Sequence, residues 1–406
     1  MTTPDDTSRP DQPLPQDGMG QIKQIHAAPS RGVLAVTGGG SGAISRLLQQ
    51  PGASRTVLEA VVPYSWPALE EWLGGRVDSA CSEPAARAMA MAAYTRARRL
   101  ASAEQRAGAD DAHLFGIGCT ASLASDRPKR GDHRLHVALQ TRDQSLVWSL
   151  TLAKGRRSRG EEETEAERLV LHAVAVAAGL AGVDGIAVGD GDSLAHRHKQ
   201  APRLWVDLLW RDRKTALVNP KASEESAVSA SLENPVLFPG SFAPPHRGHQ
   251  RMAEIASARL QQPVTLEVSV SNVDKPPLDY LAIEDRLAAI AETFPNTQVL
   301  LTRLPTFLGK ARQFQGSTFV VGADTLLRIA AAKYYDHSEA SRDAAIAKLK
   351  ELGCRFLVFG RQRDEEFETL ADLAIPSELR NLCDGVSAAN FREDISSTAI
   401  REQRST

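Results

Sequence analysis

Few distinguishing features mark this chain, and each shortage narrows the reading. Four cysteines are scattered through 406 residues, at Cys81, Cys119, Cys354 and Cys383, and no two share a Cys-x-x-Cys spacing. That pattern favours reduced thiols over a zinc site or a disulfide framework. No apolar run reaches the length of a membrane helix. Charge of one sign is also lacking: 48 Lys and Arg stand against 50 Asp and Glu, a formal net charge of −2. Such a balance gives no support for broad binding to nucleic acid or to a membrane surface. The first thirty residues have no apolar leader core; they carry Asp5, Asp6, Asp11, Asp17 and several prolines. The expectation is a disordered tail over residues 1–30 and a cytoplasmic protein.

What is present is ordinary soluble composition, 42% hydrophobic and 24% charged, in a chain long enough for two domains. Strand patterns at residues 33–37, 57–62, 114–118, 135–139 and 146–152 alternate with helical ones at 43–50, 67–73, 85–100 and 161–180. The last two strand patterns read as a hairpin. Ser82 caps the helix that Pro84 opens. Residues 183–188 and 204–210 read as further strands, and the Ser-, Ala- and Glu-rich stretch that follows reads as a linker. The expected division is therefore a first domain over 31–210, a linker over 211–233 and a second domain over 234–406. In the second, strand patterns at 236–239, 264–270, 298–302, 318–321 and 355–359 alternate with helices. This order predicts a doubly wound, mostly parallel α/β sheet with ligands at the carboxyl ends of its strands.

The chemistry concentrates at Val236-Leu237-Phe238-Pro239-Gly240-Ser241-Phe242-Ala243-Pro244-Pro245-His246-Arg247-Gly248-His249. An apolar strand ends in a small-residue turn, and a helical pattern opens on two histidines. The N–H groups at a helix start favour an anion, and Gly240 lets the backbone approach one. Alone, two histidines on a loop are as readily surface groups as ligand groups. Two further stretches weigh against that. Phe319-Val320-Val321-Gly322-Ala323-Asp324 is a buried strand ending in Gly-Ala-Asp. Ile395-Ser396-Ser397-Thr398-Ala399-Ile400-Arg401 sets three hydroxyls ahead of an arginine, a second phosphate clamp.

These three stretches, in this order, resemble the HxGH nucleotidylyltransferases, and nicotinate/nicotinamide mononucleotide adenylyltransferases above all. Ala243 departs from the pattern, since relatives often carry Asp or Asn there. The resemblance implies nucleotidyl transfer, adenylyl in kind, from ATP or another nucleoside triphosphate to a mononucleotide-type phosphate monoester, with pyrophosphate released. It implies that His246 and His249 hold triphosphate oxygens beside Gly240, Ser241, Phe242 and Gly248. Ser396, Ser397, Thr398 and Arg401 would hold the outer phosphates, and Lys275 would meet substrate phosphate. Gly322 and Asp324 would meet the nucleoside and Arg361 would clamp it, while Arg286 is open between a substrate role and a salt bridge. Mg²⁺ is expected to ride on the triphosphate, because the sequence offers no carboxylate cage. Cytidylyl or pantetheine-phosphate-type transfer, and a nucleotide-sensing regulator, stay open as alternatives, as does a homo-oligomer.

Residues 31–180 resemble the C-terminal domain of the CinA family, the nicotinamide mononucleotide deamidases. Pro51-Gly52-Ala53-Ser54, Tyr64-Ser65, Ser82 to Ala90 and Gly116-Ile117 carry the likeness. The family's catalytic positions are changed. Its serine falls at Thr37, its lysine at Leu69, and its Gly-Pro at Cys119-Thr120. A hydroxyl nucleophile needs a base, and leucine is none. The expectation is a CinA-like fold without the deamidase. Gly38-x-Gly40-x-x-Ala43 with Glu59 is the weaker dinucleotide-site alternative. The basic run from Arg127 to His133 reads as a solvated loop before it reads as an anion site.

Overall fold

The computed structural model describes residues 18–104, 111–127, 129–221, 232–295, 297–363, 366–393 and 400. The chain divides into two units, Met1–Gln200 and Ala201–Thr406.

The first unit runs α1 (Gly18–Ala27), β1 (Arg31–Thr37), α2 (Ser41–Gln49), β2 (Val57–Val61), α3 (Trp66–Leu73), α4 (Glu83–Ala103), β3 (Leu114–Ser122), β4 (His133–Gln140), β5 (Gln144–Leu152), α5 (Arg159–Ala177) and β6 (Ser193–Gln200). Its sheet has the order β2-β1-β3-β4-β5-β6. The first three strands are parallel and the rest are joined antiparallel. One face buries Leu34, Val36, Phe115, Ile117 and Trp148 against Leu47 of α2 and Leu169 and Val170 of α5. The other face buries Val33 and Ala35 against α3 and α4. Gly118 is dictated by this second packing: a Cβ there would lie 2.2 Å from the Ala86 carbonyl oxygen and 2.5 Å from the Ala90 nitrogen of α4. The Ser82 cap is present, its Oγ accepting from the Ala85 N–H at 3.3 Å.

The second unit runs α6 (Arg203–Trp210), β7 (Thr215–Val218), β8 (Val236–Pro239), α7 (Arg247–Leu260), β9 (Val264–Ser269), α8 (Tyr280–Thr293), β10 (Val299–Thr302), α9 (Phe307–Gln313), β11 (Thr318–Gly322), α10 (Ala323–Ala330), α11 (Glu339–Glu351), β12 (Arg355–Phe359), β13 (Arg361–Arg363), β14 (Glu366–Glu368), α12 (Ser377–Arg380) and β15 (Cys383–Val386). The strand order is β15-β12-β11-β8-β9-β10-β7, with β13 and β14 in a separate small hairpin. All ladders of the large sheet are parallel except that of β7 with β10. The chain moves one way from β8 through β9 to β10 and the other way from β11 through β12. The switch between β8 and β11 opens the crevice where ligands of such sheets bind.

Four expectations need correction. Order begins before residue 31: α1 buries Ile22 and Ile25 in the first core, so part of the expected tail is a packed helix; residues 1–17 lie outside the described residues. Residues 183–188 form no strand, and the sheet's last strand is the charged β6, whose exposed pattern hid it. Residues 203–210 are helical, with Trp205, Val206, Leu208 and Leu209 buried along one side. The first unit ends at Gln200, ten residues before the expected boundary, and β7, inside the expected linker, is an edge strand of the second sheet. Residues 222–231 of that linker are outside the described residues.

Candidate functional site

The loop from Gly240 to His246 leaves β8 at the crevice and delivers the chain to the start of α7. Its path is fixed from inside. The Gly240 N–H donates to the Glu267 carbonyl at 3.0 Å, and a Cβ on Gly240 would lie 2.7 Å from the Phe242 ring. Phe242 has φ 44, a left-handed conformation unfavourable for a bulky residue. Burial of its ring holds it there: the side chain is fully buried, edge-on to Phe238 at 5.4 Å and to Phe294 at 6.4 Å. Phe242 is thus a wall of the site, 5.1 Å from the His249 ring. Ser241 beside it is exposed, and Gly248 is buried in the first turn of α7.

His246 caps α7 and His249 lies in its first turn. Their rings are 3.8 Å apart and tilted by 35°. The His246 backbone N–H donates to His249 Nδ1 at 3.2 Å. An imidazole nitrogen that accepts carries no proton, so the neutral ring bears its hydrogen on Nε2. Burial, with His246 alongside, pushes the His249 pKa down to about 3. His246 is also lowered, first by burial; Glu393 opposes that shift and Arg361 adds to it. His246 Nδ1 is buried and has no hydrogen-bond partner among the described residues. The pair is therefore a neutral donor set at a helix N-terminus, suited to anionic oxygens.

Arg361, at the start of β13, forms an ion pair with Asp324 in the first turn of α10; both side chains are about half exposed. His246 and His249 follow β8, Asp324 follows β11 and Arg361 follows β12; these strands are parallel, so the four residues lie at one end of the sheet. Gly322 precedes α10 with open space where a Cβ would be, so a ligand can approach the backbone there. Lys275 is exposed on the loop between β9 and α8, and Arg286 is half-buried on α8. Ser396, Ser397, Thr398 and Arg401 lie outside the described residues. Glu393, just before that segment, approaches Arg247 at 3.8 Å.

Sequence reasoning missed one group at this end of the sheet. Glu267 of β9 and Lys310 of α9 form a buried ion pair at 3.2 Å, with side chains 1% and 4% exposed. A glutamate inside the strand pattern Val264-Thr265-Leu266-Glu267-Val268 was the available signal.

In the first unit the altered positions are accounted for by packing. Leu69 is buried with Ala35, Leu73 and Met89, and Thr37 is buried at the end of β1. The α2 N-terminus is taken by Glu163, whose carboxylate accepts from Ser41 Oγ at 3.0 Å and from the Gly42 N–H at 3.4 Å. That resident charge opposes the dinucleotide alternative. In the basic loop, Lys129 donates to Ser122 Oγ at 3.3 Å and to the Leu123 carbonyl at 2.8 Å. Lys154 donates to the carbonyls of Arg130 at 3.3 Å and Gly131 at 3.1 Å. Pro128 of the loop is outside the described residues.

Several solved structures are similar to the first part of the chain. A competence/damage inducible protein from Agrobacterium tumefaciens is 20% identical over 40% of this chain and 96% of its own, with a TM-score of 0.32. A CinA superfamily protein from Escherichia coli is 15% identical over 41% and 95%, TM-score 0.32. Another from Klebsiella pneumoniae is 18% identical over 40% and 97%, TM-score 0.30. No curated protein matches the chain. Residues 237–403 match the cytidylyltransferase-like family, a match that supports nucleotidyl transfer in general. The second unit of this chain therefore carries a cytidylyltransferase-like domain, with the paired histidines at the mouth of its crevice.

Proposed function

We propose that this domain transfers an adenylyl group from ATP to nicotinate or nicotinamide mononucleotide. The observation that carries the proposal is the pair of neutral imidazoles, 3.8 Å apart at the α7 N-terminus. In the reaction an anionic phosphate oxygen of the acceptor forms a bond to the α-phosphorus, the bond from that phosphorus to the bridging oxygen breaks, and pyrophosphate leaves. The nucleophile is already deprotonated, so the protein supplies position and charge stabilisation instead of a strong base. His249 Nε2–H donates to a non-bridging oxygen on which charge builds. His246 and the first N–H groups of α7 serve the departing phosphates, and Ser396, Ser397, Thr398 and Arg401 grip them as well. Arg361 exchanges Asp324 for the nucleotide, and Lys275 meets the acceptor's phosphate.

Among the described residues no group of three or more His, Cys, Asp or Glu is placed to hold a metal ion. A Mg²⁺ would be carried by the triphosphate oxygens and would supply charge neutralisation there. The test is a panel of nucleoside triphosphates against mononucleotide acceptors, read by pyrophosphate release. Turnover confined to ATP with a pyridine mononucleotide is expected. Preference for CTP, or for a pantetheine phosphate, would replace this reading with one of the alternatives.

A further inference from the structure

We infer that Glu267 and Lys310 are a positioning pair for acceptor binding, acting through the loop that carries Lys275. This rests on the transfer reading above.

The starting point is where the buried charges lie. Replacing a buried ion pair with apolar groups is often neutral or stabilising, so stability alone gives little reason for one. This pair sits at the ligand end of the parallel sheet, and its contacts lead toward the site. Lys310 Nζ donates to Ser269 Oγ at 2.8 Å, to the Leu304 carbonyl and to Glu267. All three ammonium protons are thereby matched. Thr302 Oγ1 donates to the same Glu267 carboxylate oxygen, and Ser269 Oγ lies 3.3 Å from it.

Two backbone bonds extend this cluster to the loop. The Thr302 carbonyl accepts from the Val270 N–H at 2.8 Å, and the Val270 carbonyl accepts from the Leu278 N–H at 2.8 Å. Residues 270 and 278 are thus the closed base of the loop that presents Lys275. That base is held at Thr302, and Thr302 is held by Glu267. On its other side, the Glu267 carbonyl accepts the Gly240 N–H that starts the histidine loop. The carboxylate therefore acts, through Thr302, on the origin of the Lys275 loop, while the histidine loop is tied only to the main-chain carbonyl of Glu267, which no side-chain change removes. Within the Lys275 loop, Ser271 Oγ is buried without a partner among the described residues, so that hydroxyl does not help to anchor the loop.

The pair lies on the β9–β10 side of β8, whereas Asp324 and Arg361 lie on the β11–β12 side. Its loss should therefore fall on the acceptor and leave the triphosphate little affected.

The experiment uses the full chain with ATP and nicotinate mononucleotide, and compares Lys310→Met, the apolar pair Glu267→Leu/Lys310→Met, and Lys310→Arg. Lys310→Met strands a buried carboxylate and is expected to melt at lower temperature. The apolar pair is expected to recover most of that melting temperature, while its KM for nicotinate mononucleotide rises at least fivefold and its KM for ATP stays within twofold. Lys310→Arg keeps the charge and is expected to recover part of the acceptor KM. An apolar pair with wild-type constants for both substrates overturns the inference, as does an increase confined to ATP. If the apolar pair fails to fold, Lys310→Arg decides: an acceptor KM raised about twofold or more, with the ATP KM unchanged, supports positioning, and unchanged constants overturn it. A wild-type chain that releases no pyrophosphate with any acceptor overturns the transfer reading itself, an outcome distinct from a working enzyme indifferent to these variants.

Discussion

His249 holds the clearest electrostatic signature in the second unit. Its pKa is pushed down to about 3 by burial and by His246, whereas an unfolded histidine titrates near 6.5. Between about pH 3 and 6.5 the unfolded chain binds a proton at this residue that the folded chain does not. The resulting stability is complete above about pH 6.5 and is lost as pH falls toward 3, by at most about 1.4 kcal/mol per pH unit. Melting temperatures measured from pH 8 to pH 4 should fall less steeply in His249→Gln than in the parent chain; parallel curves would refute the assignment. The same residue should matter to the chemistry. His249→Ala is expected to lower kcat by about 10²-fold or more, as for other lost transition-state donors, with circular dichroism unchanged. Arg401→Ala should raise the KM for the triphosphate more than that for the acceptor, and an effect confined to the acceptor would mean that the clamp grips the other substrate.

Elements differ in how far their residues announced them. The β8–loop–α7 passage was legible because an apolar run, a Gly-Ser turn and a helical pattern follow one another with no competing signal. Leu204 to Trp210 reads as a strand because a short apolar run does not reveal its period. Tertiary burial decides it: Leu208 is fully buried and Trp205 stacks on Tyr280 at 6.5 Å. The Glu267–Lys310 pair was illegible because its partners are 43 residues apart and only the fold brings them together. Assignment of α6 and β7 to the second unit has a measurable consequence. Leu208→Ala should destabilise that unit by about 2–5 kcal/mol, seen as an earlier denaturant midpoint for loss of transferase activity. A shift confined to the first unit's transition would put the boundary back at residue 210.

At the scale of the whole molecule, two units with separate cores carry different amounts of intact chemistry. The second gathers neutral donors, an ion pair and a helix terminus around one crevice. In the first, the positions that resemble a deamidase's are filled by packing, with Leu69 in the core and Thr37 buried at the end of β1, and Glu163 occupies the α2 N-terminus that the dinucleotide reading would need. Lys129, a cation of the nearby basic loop, donates to Ser122 and to the Leu123 carbonyl. A leucine holds no proton and stabilises no developing charge, and losing one member of a catalytic unit removes most of its rate. The full chain incubated with nicotinamide mononucleotide is therefore expected to release no ammonia above background. Ammonia formed at ordinary enzymatic turnover, and abolished by Thr37→Ala, would mean that the first unit has rebuilt its site around a threonine. That result would turn the chain into a two-step enzyme whose first unit supplies the acid acceptor to the second.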